Sequence, residues 1–129
     1  MPARDRAQVV KASQLTCVFV GKAEGRILNR DFRGKDYATD VLSFAPIEPG
    51  YLGELIFCEP VLKRQAREHK IAFRDEFIYL MIHGILHLLG YEHEKSDKAA
   101  ARMYRLQDSI FEDLRRQNGS SHRTFRRKK

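Results

Sequence analysis

The chain has no tryptophan and only two cysteines, and neither Cys17 nor Cys58 belongs to a CxxC pair. A disulfide framework and a thiolate metal cluster are therefore set aside. Each cysteine sits in an apolar run, which predicts two buried thiols. No stretch reaches the roughly eighteen apolar residues that a membrane span requires. The longest, Phe77 to Tyr91, is shorter and carries two histidines. The charged start (Arg4, Asp5, Arg6, Lys11) is not followed by an apolar core of signal-peptide length. A soluble, cytoplasmic protein without a membrane partner is expected. Acid is missing from one place. Between Arg115 and Lys129 there are five arginines, two lysines and no carboxylate. Residues 1–114 hold 17 basic and 17 acidic groups, so the net charge of +7 belongs to the tail.

What remains is an ordinary globular composition, 43% hydrophobic and 32% charged. At 129 residues it suits one domain with a real core. The expected organisation is a single unit over residues 1–114 and a basic, disordered tail over 115–129, of a kind that attracts polyanions such as RNA. A short helix is expected from Asp5 to Ser13. Leu15–Val20 reads as a mostly buried strand, and Lys22–Phe32 as a helix with Leu28 and Phe32 on one face and Gly34 as its stop. Strands follow at Thr39–Phe44 and Gly53–Cys58, antiparallel across a turn marked by Pro46, Pro49 and Gly50. Pro60 opens a surface helix. Asp75 is the expected N-cap of a helix that is apolar all round and therefore buried. Ser96 or Asp97 caps the last helix, whose stripe is Ala99, Met103, Leu106, Ile110 and Leu114. The expected fold class is α+β, a small mixed sheet packed on a central buried helix.

Candidate metal ligands on that helix and just beyond it lie in His83-Gly-Ile-Leu-His87-Leu-Leu-Gly-Tyr-Glu-His93. Histidines four apart project from one helical face about 40° from each other. Gly90 can end the helix and turn the chain so that His93 approaches both. Three imidazoles without a fourth ligand describe a zinc site with an open coordination position, and zinc so held brings the pKa of bound water to ~7. The competing reading is of buried histidines satisfied by ordinary hydrogen bonds. The spacing is also that of metzincin peptidases, which place a glutamate base directly after the first histidine. Here that residue is Gly84. The peptidase alternative therefore lacks its proton acceptor, and Glu92, beyond the glycine turn, has no fixed direction by sequence.

The run HGILHLLGYEH resembles the signature of the YbeY family, metal-dependent endoribonucleases of ribosomal RNA maturation. Phe32-Arg-Gly-Lys-Asp36, Thr39-Asp-Val-Leu-Ser-Phe44 and Leu52-Gly-Glu-Leu-Ile-Phe57 are similar to it as well. The resemblance implies one zinc ion on His83, His87 and His93, with Arg33 and His83 as the catalytic residues. It implies RNA, in the form of ribosomal RNA precursors, and the small ribosomal subunit as partners. Arg33 suits this chemistry, because a guanidinium can donate two parallel hydrogen bonds to phosphate oxygens that gain charge. Lys35 is expected to contact phosphate more loosely. Asp36 and Asp40 are expected as loop and strand-cap residues, and Ser43 as a local hydrogen-bonding group or a neighbour of substrate. Two departures stand out. Glu92 replaces the aspartate that commonly precedes the last histidine. Only fourteen residues precede the first clear strand, where the resemblance implies a further strand and helix. A ribosome-assembly RNA-binding factor with a structural zinc is the main alternative to a nuclease.

Overall fold

The sheet is built on its last strand. In the computed structural model, which describes residues 14–117 apart from Ile47, Pro49 and Glu94, β1 (Gln14–Val20) and β2 (Val41–Phe44) lie on either side of β3 (Tyr51–Cys58). β1 runs parallel to β3, with Val18 opposite Ile56. β2 runs antiparallel, with Ser43 opposite Leu55. A parallel pair needs a crossover, and α1 (Lys22–Arg33) lies on the chain between β1 and β3. Then come α2 (Glu59–His69), α3 (Phe73–Leu88) and α4 (Asp97–Gln117). The result is a mixed sheet with four helices among the described residues, an α+β architecture.

Period-two alternation explains how β3 meets α3. Leu55 and Phe57 are fully buried, and they cluster with Leu62 and Leu80. The rings of Phe57 and Phe77 pack edge to face at 4.9 Å between centroids. The other side of α3 packs on α4, where Tyr79 meets Phe111 at 5.4 Å and Met103 is fully buried. α3 thus buries Glu76, Tyr79, Leu80, Ile82, Gly84 and Leu86 between two neighbours. The Glu76 carboxylate, with no exposed surface, is paired with the His69 ring at 2.9 Å.

Several sequence expectations shift. β1 is mostly exposed rather than buried, and Cys17 with it, because this strand is an edge of the described sheet; Cys58, on the central strand, is buried as expected. The face that α1 buries is Gly25 and Asn29, whereas Phe32 is exposed. A Cβ at position 25 would lie 3.2 Å from the Cys58 sulfur, so the missing side chain lets the helix sit against the end of β3. The N-cap of α3 is Ala72, and Asp75 falls in the first turn, where a carboxylate still favours the positive end of the helix dipole. Ser96 caps α4 as expected, its Oγ accepting the Ala99 N–H at 3.0 Å. The buried stripe of α4, however, is Met103, Gln107 and Phe111, while Leu114 is exposed. α4 continues to Gln117, so residues 115–117 are helical rather than part of the tail. The expected helix over 5–13 and the rest of the tail lie outside the described residues. Among the described residues no helix is long and apolar enough to cross a membrane.

Candidate metal centre

The end of α3 is where the site is made. The Tyr91 N–H donates to the Leu86 carbonyl and the Gly90 N–H to the His87 carbonyl, both at 3.0 Å. This is the paired hydrogen-bond pattern of a Schellman cap, and Gly90 has the left-handed φ of 100° that it requires. The chain doubles back and returns His93 to the face of α3 that bears His83 and His87. One ring nitrogen from each of the three histidines lies within 4.8 Å of the other two. Ring centroids stand 4.7 Å apart for His83 and His87, 5.2 Å for His83 and His93, and 5.0 Å for His87 and His93.

The chemistry of this donor set suits a metal ion. Gln107, fully buried on α4, donates from Nε2 to the Tyr79 carbonyl at 3.1 Å. A carbonyl can only accept, so the amide orientation is fixed and Oε1 is the atom that faces His83 Nδ1, also at 3.1 Å. Nδ1 must then carry the proton, and His83 Nε2 presents its lone pair to His87 Nε2 at 3.2 Å. Burial pushes the His83 imidazole down to about 4, helped by His87 and His93 and opposed by the Gln107 hydrogen bond and by Asp40. His83 is neutral at pH 7, as a ligand must be.

Gln107 is not visible as a site residue in the sequence, where it is one polar residue within an amphipathic helix. Its expected effect is measurable. Gln107→Leu should weaken metal binding about 10–100-fold, the usual effect of losing the group that orients a ligating histidine. Gln107→Glu keeps an acceptor toward Nδ1 and should recover most of the affinity. Competition against a chromophoric chelator reads both values.

The histidines line a cleft of about 680 Å³ shared with Arg33, Lys35, Tyr37, Asp40 and Ser43, within the ~300–1,000 Å³ typical of ligand sites. Arg33 and Lys35 are exposed and come from the end of α1 and the loop after it. Asp36 serves its own loop, accepting a two-pronged ion pair from Arg26 at 2.8 and 2.9 Å. That pair holds the Asp36 carboxyl below its ordinary range. Asp40 caps its strand, accepting the Val41 N–H at 2.7 Å, and its carboxylate is also felt by His83. Ser43 is exposed on β2, facing the cleft. Glu92, whose direction the sequence leaves open, lines the cleft with half of its side chain exposed. Tyr104 of α4 places its ring 6.0 Å from those of both His83 and His93. Gly84 has a packing reason. A Cβ there would lie 2.6 Å from Leu55 Cδ2, so the position of a metzincin base is occupied by the sheet.

Comparison with known proteins agrees with this geometry. The family model described as Endoribonuclease YbeY matches residues 2–115. The protein named Endoribonuclease YbeY from Bdellovibrio bacteriovorus is 50% identical over 113 residues, covering 84% of this chain and 75% of its own length. Its counterpart from Persephonella marina is 53% identical over 95 residues, covering 68% and 61%. The one from Bordetella avium is 48% identical over 103 residues, covering 78% and 63%. The chain therefore spans between three-fifths and three-quarters of these relatives. A solution structure from Thermotoga maritima superposes with a TM-score of 0.58 at 33% identity, covering 95% of this chain and 88% of that one. With the family model matching nearly the whole chain and a histidine cluster in place, the chain belongs to the YbeY family.

Proposed function

We propose that the chain is a metal-dependent endoribonuclease that cuts single-stranded regions of ribosomal RNA precursors. The observation that carries this reading is the convergence of three imidazole nitrogens in an open cleft shared with Arg33. Zinc is the metal that the imidazole set suits, although copper and nickel accept the same donors. Helix α3 with its two histidines, and the returning third, then make the fold zincin-like. When bound, such an ion supplies Lewis-acid polarisation of a phosphoryl oxygen and a lowered pKa for water. His83 and His87 hold that charge from a helix packed on both sides, and Gln107 keeps the His83 lone pair aimed at it. Arg33 donates its guanidinium N–H groups to the nonbridging oxygens, where negative charge builds as the phosphodiester is cleaved. Lys35 adds a looser phosphate contact. The hydrolase unit on this reading runs to the end of α4 at Gln117, working in the cytoplasm with the small ribosomal subunit as its setting. The basic stretch that follows serves as an RNA tether.

The test is Arg33→Ala in purified, metal-loaded protein. Single-turnover cleavage of single-stranded RNA should fall about 10²–10³-fold, the usual effect of removing one donor to a transition-state oxyanion. Arg33→Lys should not restore it, because the paired donor geometry is lost. The melting temperature should hardly move, since the residue is exposed. Cleavage at the original rate by Arg33→Ala, or in wild-type protein stripped of metal by a chelator, would refute the proposal.

A further inference from the structure

We propose that Phe32 and Tyr37 are base-stacking positions at the lip of the cleft, gripping unpaired RNA bases beside the phosphodiester to be cut; this rests on the endoribonuclease reading. Among the described residues they are the two most exposed large apolar side chains, at 65% and 52%. A single exposed ring would need no explanation. Here both rings line the cleft that holds the three histidines, and they flank two cations along Phe32-Arg33-Gly34-Lys35-Asp36-Tyr37. Flat apolar faces set beside positive charge are what a single strand requires, since every base has a π-face and every linkage a negative phosphate.

The segment that carries Tyr37 is also held still. Asn29, fully buried on α1, donates to the Tyr37 carbonyl at 2.7 Å. The neighbouring Asp36 is bracketed by Arg26, and the Tyr37 N–H reaches the Lys35 carbonyl at 3.0 Å. These bonds fix the backbone while the ring remains in solvent, so little ordering is needed when a base arrives. Phe32 is steadied differently, by an edge-to-face contact with Phe44 of β2 at 5.0 Å and 78°, with most of its surface still open. Bases within a duplex present no free face, and both rings therefore select unpaired RNA.

The probe is a short single-stranded RNA with 2′-O-methyl groups, confirmed intact on a denaturing gel and titrated into metal-loaded protein by fluorescence anisotropy. Phe32→Ala and Tyr37→Ala should each weaken binding about 5–150-fold, the range found for the loss of one base–aromatic stack. An abasic residue at the matching nucleotide should weaken wild-type binding by a similar factor and cost the alanine variant nothing more. A fully paired duplex should bind all forms alike. Additive losses, no loss, or equal losses for duplex and single strand would overturn the proposal. Phe32→Leu and Tyr37→Leu preserve apolar bulk, so they serve where alanine disturbs the fold, and the abasic probe on wild type needs no variant. Cleavage of ordinary RNA, followed in parallel, separates the two readings. Coupling without cleavage leaves stacking standing and removes the nuclease; cleavage without coupling does the reverse.

Discussion

His87→Ala is expected to leave a folded protein that no longer holds its metal or cleaves RNA. His87 is only partly buried and sits in the last turn of α3, so truncating it opens space at the cleft rather than a void in the core. The affinity cost should exceed ~100-fold, because even the loss of a group that merely orients a ligand costs 10–100-fold. Metal analysis after gel filtration should find the variant empty under conditions that leave wild type loaded. Cleavage should fall to the level of chelated wild type. A variant that keeps stoichiometric metal and cuts at the original rate would remove His87 from the centre.

Gly84→Glu tests the peptidase comparison from the opposite side. The substitution supplies the general base that a metzincin carries after its first histidine, so on sequence logic alone it should create one. The structure predicts a large loss of stability instead. The first carbon of the new side chain would fall 2.6 Å from Leu55 Cδ2 and 3.0 Å from Leu55 Cδ1, and Leu55 itself is fully buried. Overpacking costs ~1–3 kcal/mol, and an unpaired carboxylate in the same place costs several more. A loss of at least about 4 kcal/mol is expected against a total of ~5–15 kcal/mol for an ordinary domain. Urea denaturation reads it directly, and Gly84→Ala, with only the overpacking term, should lie between. A stable Gly84→Glu protein that digests peptides would reverse the conclusion.

Much of the site is legible without coordinates, and the reasons are local. His83 and His87 are tied by helical spacing, and the return of His93 is tied to Gly90, whose left-handed turn is encoded in the residue itself. The antiparallel pairing of β2 and β3 and the Ser96 cap are short-range features too. What the sequence hides depends on partners distant along the chain. Cys17 looks like Cys58 in its apolar setting, but burial of a strand is decided by what packs on its faces, and β1 is an edge of the described sheet. Gln107 points inward because His83, 24 residues earlier, is there to meet it. Of the apolar stripe Ala99, Met103, Leu106, Ile110 and Leu114, Met103 lies on that face, Leu106 and Ile110 pack beside it, and Leu114 is exposed. Hydrophobicity alone groups Phe32 with Leu28 on one helical face, and its exposure beside the cleft is what suggests a ligand.

The seam between α3 and α4 has one more effect. Gln107 shares its buried row with Met103 and Phe111, so slackening that row lets the amide drift from His83 while the protein is still largely native. By reciprocity, an ion seated on the histidines tightens the same row. A screen for lost activity should thus return core substitutions at Met103 and Phe111 alongside the ligands themselves, and raising the concentration of free metal should rescue the former and not the latter.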